Sequence, residues 1–199
     1  QEHGSSDNVS AESVVIATPG TYTVVGESDI PVANNITVTQ PGEYDLAIKD
    51  VSINMSLKME NSAIGLCDGA EVQLNATGKN TLIAGAPNAG IRVPETARLV
   101  LTGSGSLTAT GGTTKDIVGL PPEASSKYNG GGAGIGGSLL ETAGYIEIDF
   151  DGYVYANGSP AMYYGAAGIG GGSGAASSKA NDGQCDTTEI VIKNGIVHA

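Results

Sequence analysis

The stretch "GGGAGIGGS" (130–138) contains a formal G-x-G-x-x-G at Gly132, Gly134 and Gly137, and "AAGIGGGSG" (166–174) nearly repeats it. A dinucleotide-binding loop needs a strand before the glycines and a helix of several turns after them, so that phosphate meets the helix N-terminus. Here the glycines lead through a short link into "YIEIDF" (145–150), whose alternation reads as a strand. In the second copy, counting from Gly168 and Gly170 places Ser173 where the third glycine should fall. The glycines are therefore read as corner residues, which adopt φ > 0 and let backbone pass close to backbone.

Working outward from this stretch, the rest of the chain resolves into units. "SAIGL" (62–66), "EVQL" (71–74) and "NTLIA" (80–84) form one; "AGIRV" (89–93), "RLVL" (98–101) and "SLTA" (106–109) form the next. "AGIGG" (133–137) with "YIEID" (145–149) and "YVYA" (153–156), then "AGIGG" (167–171) with "EIVIK" (189–193) and "IVHA" (196–199), complete four. A less exact version lies upstream in "NITVT" (35–39), "YDLAI" (44–48) and "VSI" (51–53). Ile64 to Val72 and Ile91 to Leu99 are both eight residues, while length varies only in insertions 113–131 and 173–187. Constant units with swelling loops are the mark of stacked repeats.

Each unit is read as about three short strands. Apolar residues alternate within them: Val72 and Leu74, Leu99 and Leu101, Ile146 and Ile148, Ile190 and Ile192. Period-2 alternation puts these side chains on one face. No unit buries that face alone, so strands are expected to stack on their equivalents at ~4.8 Å with the apolar columns inside. The only helical-looking stretch, "SLLETA" (138–143), is stopped by Gly144. The expected fold is all-β, a right-handed parallel β-helix (solenoid) of about five coils. It has an N-terminal strand or cap region and the two long insertions. Residues 1–13 are read as a polar tail or linker, and 14–199 as a single domain.

Composition narrows the function classes. A formal charge of −12 with only two arginines, Arg92 and Arg98, argues against a nucleic-acid partner, which needs a cationic face. No apolar run reaches the ~18–20 residues of a membrane helix. The polar start and missing initiator Met are read as a mature chain after removal of an export signal, hence an extracellular or cell-surface location.

The segments "GTYTV" (20–24), "AIGL…VQL…NTLIAG", "AGIRVPETARLVLTGSGSLTATGG" (89–112) and the two "AGIGG" units carry a resemblance. Over roughly residues 14–199 the chain resembles bacterial secreted or cell-surface right-handed parallel β-helix proteins of the pectate-lyase-like or carbohydrate-binding-domain kind. The resemblance implies an extracellular protein, in several cases one that binds polysaccharide, and in some relatives one that holds Ca²⁺. A lyase-type catalytic set is missing from the pattern.

Candidate chemistry is sparse. Lyase action on acidic polysaccharide needs a Ca²⁺-binding carboxylate cluster and a basic side chain on the same face. Asp149 and Asp151 are the best carboxylate pair, both pointing away from Ile146 and Ile148. Asp45, Glu71 and Glu147 are expected to face outward on other coils, where a vertical acidic ladder would recruit a cation; a wetted surface is the alternative. Lys49 and Lys193 follow strands in their own coils, and the Asp149 coil has no lysine at that place. His3 and His198, near the two ends, are not read as preorganised bases. No cofactor is expected unless it is Ca²⁺ at Asp149 and Asp151.

Tyrosine is more informative. Tyr128, Tyr145, Tyr153, Tyr155, Tyr163 and Tyr164 fall within 128–164. With Val154 inward, Tyr153 and Tyr155 share the outer face. They serve either as a platform for the apolar face of a sugar ring or as packing beneath the two insertions. Cys67 and Cys185 each lie five residues before the first core residue of their strand, at equivalent positions three coils apart. That is roughly 14 Å at strand spacing, whereas disulfide Cα atoms lie within ~7 Å, so both are expected unpaired within the chain.

The leading expectation is a non-catalytic extracellular protein that binds polysaccharide or a cell-surface glycan. The first alternative is structural: the chain ends in the core strand "IVHA" without a polar cap, so molecules stack end to end into rods or fibres. A polysaccharide lyase or glycoside hydrolase is the second.

Overall fold

The computed structural model of the chain describes residues 13–27, 29–113, 130–160, 165–174 and 189–199. Every regular element among them is a β-strand, and the strands fall into two parallel sheets. Short strands make one sheet: β1 (Val14–Ile16), β3 (Ile36–Val38), β6 (Ile64–Gly65), β8 (Ile91–Arg92), β10 (Ile135–Gly136) and β12 (Ile169–Gly170), hydrogen-bonded in that order. Longer strands make the other: β2 (Gly20–Val25), β4 (Gly42–Lys49), β7 (Ala70–Ile83), β9 (Arg98–Thr110), β11 (Tyr145–Asn157) and β13 (Ile190–His198), again in chain order. A small strand, β5 (Ser52–Asn54), also pairs with β7. The chain thus alternates between the sheets, adding one strand to each per unit. The N-terminal region expected as a cap extends both sheets by one strand, β1 and β2.

Register follows the apolar pattern. Tyr44, Val72, Leu99, Ile146 and Ile190 lie opposite one another across five successive strands. In the short-strand sheet, Ile36, Ile64, Ile91, Ile135 and Ile169 do the same. A one-residue slip would turn every one of these side chains outward, so burial fixes the pairing. The two sets pack into one core that includes Leu74, Leu99, Leu101, Ile135 and Ile148. Burying one such side chain contributes roughly 1.5–3 kcal/mol. Because a lone pair of strands has nothing to bury it against, each layer depends on its neighbours.

The upstream unit has the expected three strands, β3, β4 and β5, but the later units have two. "EVQL" and "NTLIA" belong to one continuous strand, β7, as do their counterparts in β9 and β11. The strand turns without breaking its ladder because glycine stands at one register position, Gly78, Gly105 and Gly152. All three have positive φ, and a Cβ on Gly105 would stand 2.3 Å from the Gly78 carbonyl oxygen. Layers meet there backbone to backbone, which only glycine permits.

Phe150, the one phenylalanine, fills the interior next to this corner. Its register partner is Gly103, preceded by Ala76. The small residues leave room for the ring, which is fully buried.

The opening glycine motif behaves as a corner too. β10 pairs Gly136 with Gly170, and a Cβ on Gly136 would meet the Gly170 carbonyl oxygen at 2.0 Å. No helix follows; "SLLETA" is an irregular link to β11. A second repeated feature, "TPGTY" (18–22) and "QPGEY" (40–44), opens β2 and β4. In both, the tyrosine hydroxyl donates to a backbone carbonyl four residues earlier, Tyr22 to Thr18 and Tyr44 to Gln40, each at 2.7 Å.

The bases of the insertions are tied down. Thr113 and Gly131 form an isolated antiparallel bridge. The Gly131 N–H donates to Ser173 Oγ at 3.0 Å, and the Ser173 N–H donates to the Gly131 carbonyl at 2.9 Å.

Candidate functional site

β11 carries the most chemistry on its outer face. Alternation along "YIEIDFDGYVYAN" sends Ile146, Ile148, Phe150, Val154 and Ala156 inward, and all five are buried. Asp149, Asp151, Tyr153 and Tyr155 point out. Tyr153 and Tyr155 remain 47% and 38% exposed, large values for tyrosines fixed on a strand. Their rings are parallel within 9° at a centroid separation of 6.3 Å. On the next strand, directly opposite Tyr155, lies His198. The Tyr155 and His198 rings stack with centroids 5.0 Å apart and planes 6° apart. The result is a three-ring aromatic surface bordered by the exposed Ile196, which pairs with Tyr153.

The other end of β11 holds a charged cluster instead. Tyr145 lies opposite Arg98, whose guanidinium carbon sits 4.0 Å from the phenol ring centroid, a cation–π contact. The Tyr145 hydroxyl donates to Glu147 Oε2 at 2.7 Å. Glu147 is buried; Lys193 Nζ donates to its Oε1 at 2.5 Å, and Arg98 Nη2 lies 3.5 Å from Oε2. β13 bulges at Lys193, since Ile148 pairs with Ile192 and Asp149 with Asn194. Lys193, two residues after Glu147's partner Val191, shares its outer face. The Lys193 and Tyr145 hydrogen bonds hold the Glu147 carboxyl below its ordinary pKa against the opposing effect of desolvation. Hydrogen bonding to Glu147 raises the pKa of both Lys193 and Tyr145. These side chains satisfy one another, so Tyr145 stands apart from the Tyr153–Tyr155 pair.

Asp149 and Asp151 are exposed as expected. Their register neighbours are Thr102, Ser104 and Asn194. Those offer hydroxyl and amide oxygens but no third carboxylate, and among the described residues no group of three or more His, Cys, Asp or Glu converges as a metal site. A hard cation at this pair would be held largely by water.

The vertical acidic ladder does not form. Asp45 and Glu147 share one register line, but Gln73 and Val100 separate them, and Glu71 lies on another line beside Glu43 and Arg98. A shallow groove of about 410 Å³ opens there, lined by Glu43, Asp45, Glu71, Gln73 and Arg98 among others. It offers carboxylates and no exposed aromatic face, so it suits sugar stacking less well than the tyrosine pair.

Tyr128, Tyr163, Tyr164 and Cys185 lie outside the described residues. Cys67 is a half-buried free thiol packed against the core, and desolvation raises its pKa.

His198 is the contributor that reading by residue type overlooks. The signal was present in the repeat: aligning "YVYA" with "IVHA" sets His198 beside Tyr155. Aligning "RLVL" with "YIEI" likewise sets Arg98 beside Tyr145. No protein-family model, curated protein or solved structure matches the chain.

Proposed function

We propose that the chain is a right-handed parallel β-helix acting as a non-catalytic, extracellular glycan-binding protein. The helical reading is supported by alternation between two parallel sheets in chain order, interrupted only by the small strand β5, and its hand by the strong right-handed preference of parallel crossovers. One observation carries the function: Tyr153 and Tyr155, parallel and exposed on a rigid strand, beside His198. Fixed aromatic faces suit the C–H face of a sugar ring, and phenol hydroxyls bond its oxygens. Strand-mounted rings lose little conformational freedom on binding. The low positive charge and scattered acids fit a partner read by hydroxyls rather than by ion pairing.

The test is a glycan array probed with the protein and with Tyr153→Ala/Tyr155→Ala. Binding that the double variant loses supports the reading. Binding that survives it, or none at all, overturns it.

A second reading rests on β13. Among the described residues this strand is at the edge of its sheet, and Ile190 and Ile192, which continue the inward columns, are 40% and 53% exposed. An open edge with apolar side chains invites another strand. End-to-end stacking of copies into rods would cover both.

A further inference from the structure

We propose that the tyrosine pair takes a neutral glycan standing in a slot above β9, against the ring faces that look toward Ser106 and Thr108. This rests on the glycan-binding reading and adds to it where the sugar lies and what kind of sugar it is.

Ring orientation fixes the place. Tyr155 and His198 are register partners on adjacent strands, and their parallel rings are 5.0 Å apart, close to the ~4.8 Å strand spacing. Two rings lying flat on the sheet side by side would collide at that distance. They must instead stand on edge and face one another across the strands. Tyr153 is parallel to Tyr155 within 9° and 6.3 Å away, about the ~6.6 Å of two residues along a strand. Both phenols therefore stand in one row, each with one face toward β13 and the other toward β9. His198 covers the β13 side of Tyr155.

The β9 side is open by sequence. The partners there are Ser106 opposite Tyr153 and Thr108 opposite Tyr155, side chains too short to reach up the rings. Beyond them, on β7, come Lys79 and Thr81. From β11 to β7 is two strand spacings, roughly 9.6 Å, which leaves room for the thickness of one sugar ring. The wall would be two phenol faces and the floor two hydroxyls, with Thr81 opposite. Serine and threonine both donate and accept, as sugar hydroxyls do.

The charge nearby selects against anionic sugars. Asp149 and Asp151 are exposed on the same strand, just before it turns at Gly152 toward the tyrosines. Among the described residues the one cation beside the slot is Lys79, which pairs with Asp29 at 3.3 Å on the surface. A uronate would meet repulsion from these carboxylates.

Affinity electrophoresis in gels containing mixed-linkage β-glucan, xyloglucan, galactomannan, polygalacturonate or alginate tests this with the intact protein. The expected result is retardation by at least one neutral polymer. Thr108→Trp and Ser106→Gln, which fill the slot and leave both tyrosines, should weaken it about tenfold. Gln73→Ala, on the outer face of β7 and away from the slot, should stay within about threefold of wild type. Melting curves verify folding, and Ser106→Gln serves if the tryptophan variant fails to fold. Wild-type binding in a folded slot-filling variant, or an equal loss in Gln73→Ala, overturns the slot while leaving the tyrosine platform standing. Retardation by the uronate polymers alone overturns the neutral class. If Tyr153→Ala/Tyr155→Ala binds normally, or no polymer retards the protein, the platform reading falls as well.

Discussion

Lys193 reaches back across the β11–β13 ladder to Glu147, and the ladder shifts register at the lysine itself. The contact locks an edge strand to the sheet through a buried carboxylate. A second buttress, Glu141, accepts two bonds from Arg92, at 2.8 and 2.7 Å. Burial pushes the Glu141 pKa up, but the Arg92 bonds and charge together with hydrogen bonds from Ser138 outweigh it, and the net shift is downward.

Both glutamates titrate below their ordinary value of 4.5. Their stabilisation is therefore complete above that value and disappears as pH falls through the lower folded values. Lys193 acts in the opposite sense: its contribution is present below the ordinary lysine value of 10.5 and is lost as pH rises through the raised folded one. Melting temperature against pH should fall on the acid side of 4.5, and Glu147→Gln should lower the plateau at neutral pH and flatten that acid limb. An unchanged acid limb in this variant contradicts the assignment.

Phe150 over Gly103 is a packing prediction. Phe150→Ala should cost about 3–5 kcal/mol, because the surrounding strands cannot close over the void. Chemical denaturation measures it. A cost below about 1 kcal/mol means the ring does not fill the core as described.

Gly105 must stay glycine. At φ 110° and with the Gly78 carbonyl 2.3 Å from any Cβ, Gly105→Ala should destabilise by about 2 kcal/mol or more. The outward Ser104→Ala is the control and should stay within about 0.5 kcal/mol.

Stacking through β13 predicts concentration-dependent association in sedimentation velocity. Ile192→Lys places a charge on the open edge and should leave only monomer. A wild-type monomer at all concentrations removes the stacking reading.

Much of the fold was legible because burial leaves a period-2 trace. Val72, Leu99, Ile146 and Ile190 were aligned by spacing alone, and the pairing places them together. The continuity of β7 was not legible, since Gly78 looks like a strand terminator when read locally. Only the recurrence of Gly105 and Gly152 at the same register shows a strand turning with its ladder intact. The outward parity of Tyr153 and Tyr155 was legible for the same reason as the core. The separation of Tyr145 was not: its fate depends on Arg98 and Glu147, and so on cross-strand register rather than on tyrosine chemistry. His198 was missed because a residue judged singly as a base shows nothing of the ring beside it.

The Thr113–Gly131 bridge and the Gly131–Ser173 bonds close the mouth of an insertion onto backbone that belongs to the layers. Length is then cheap on the far side of that clasp, since doubling a loop costs only about 0.6 kcal/mol. A chain that changes length between these two anchors leaves their hydrogen bonds, and the register of the layers that carry them, in place.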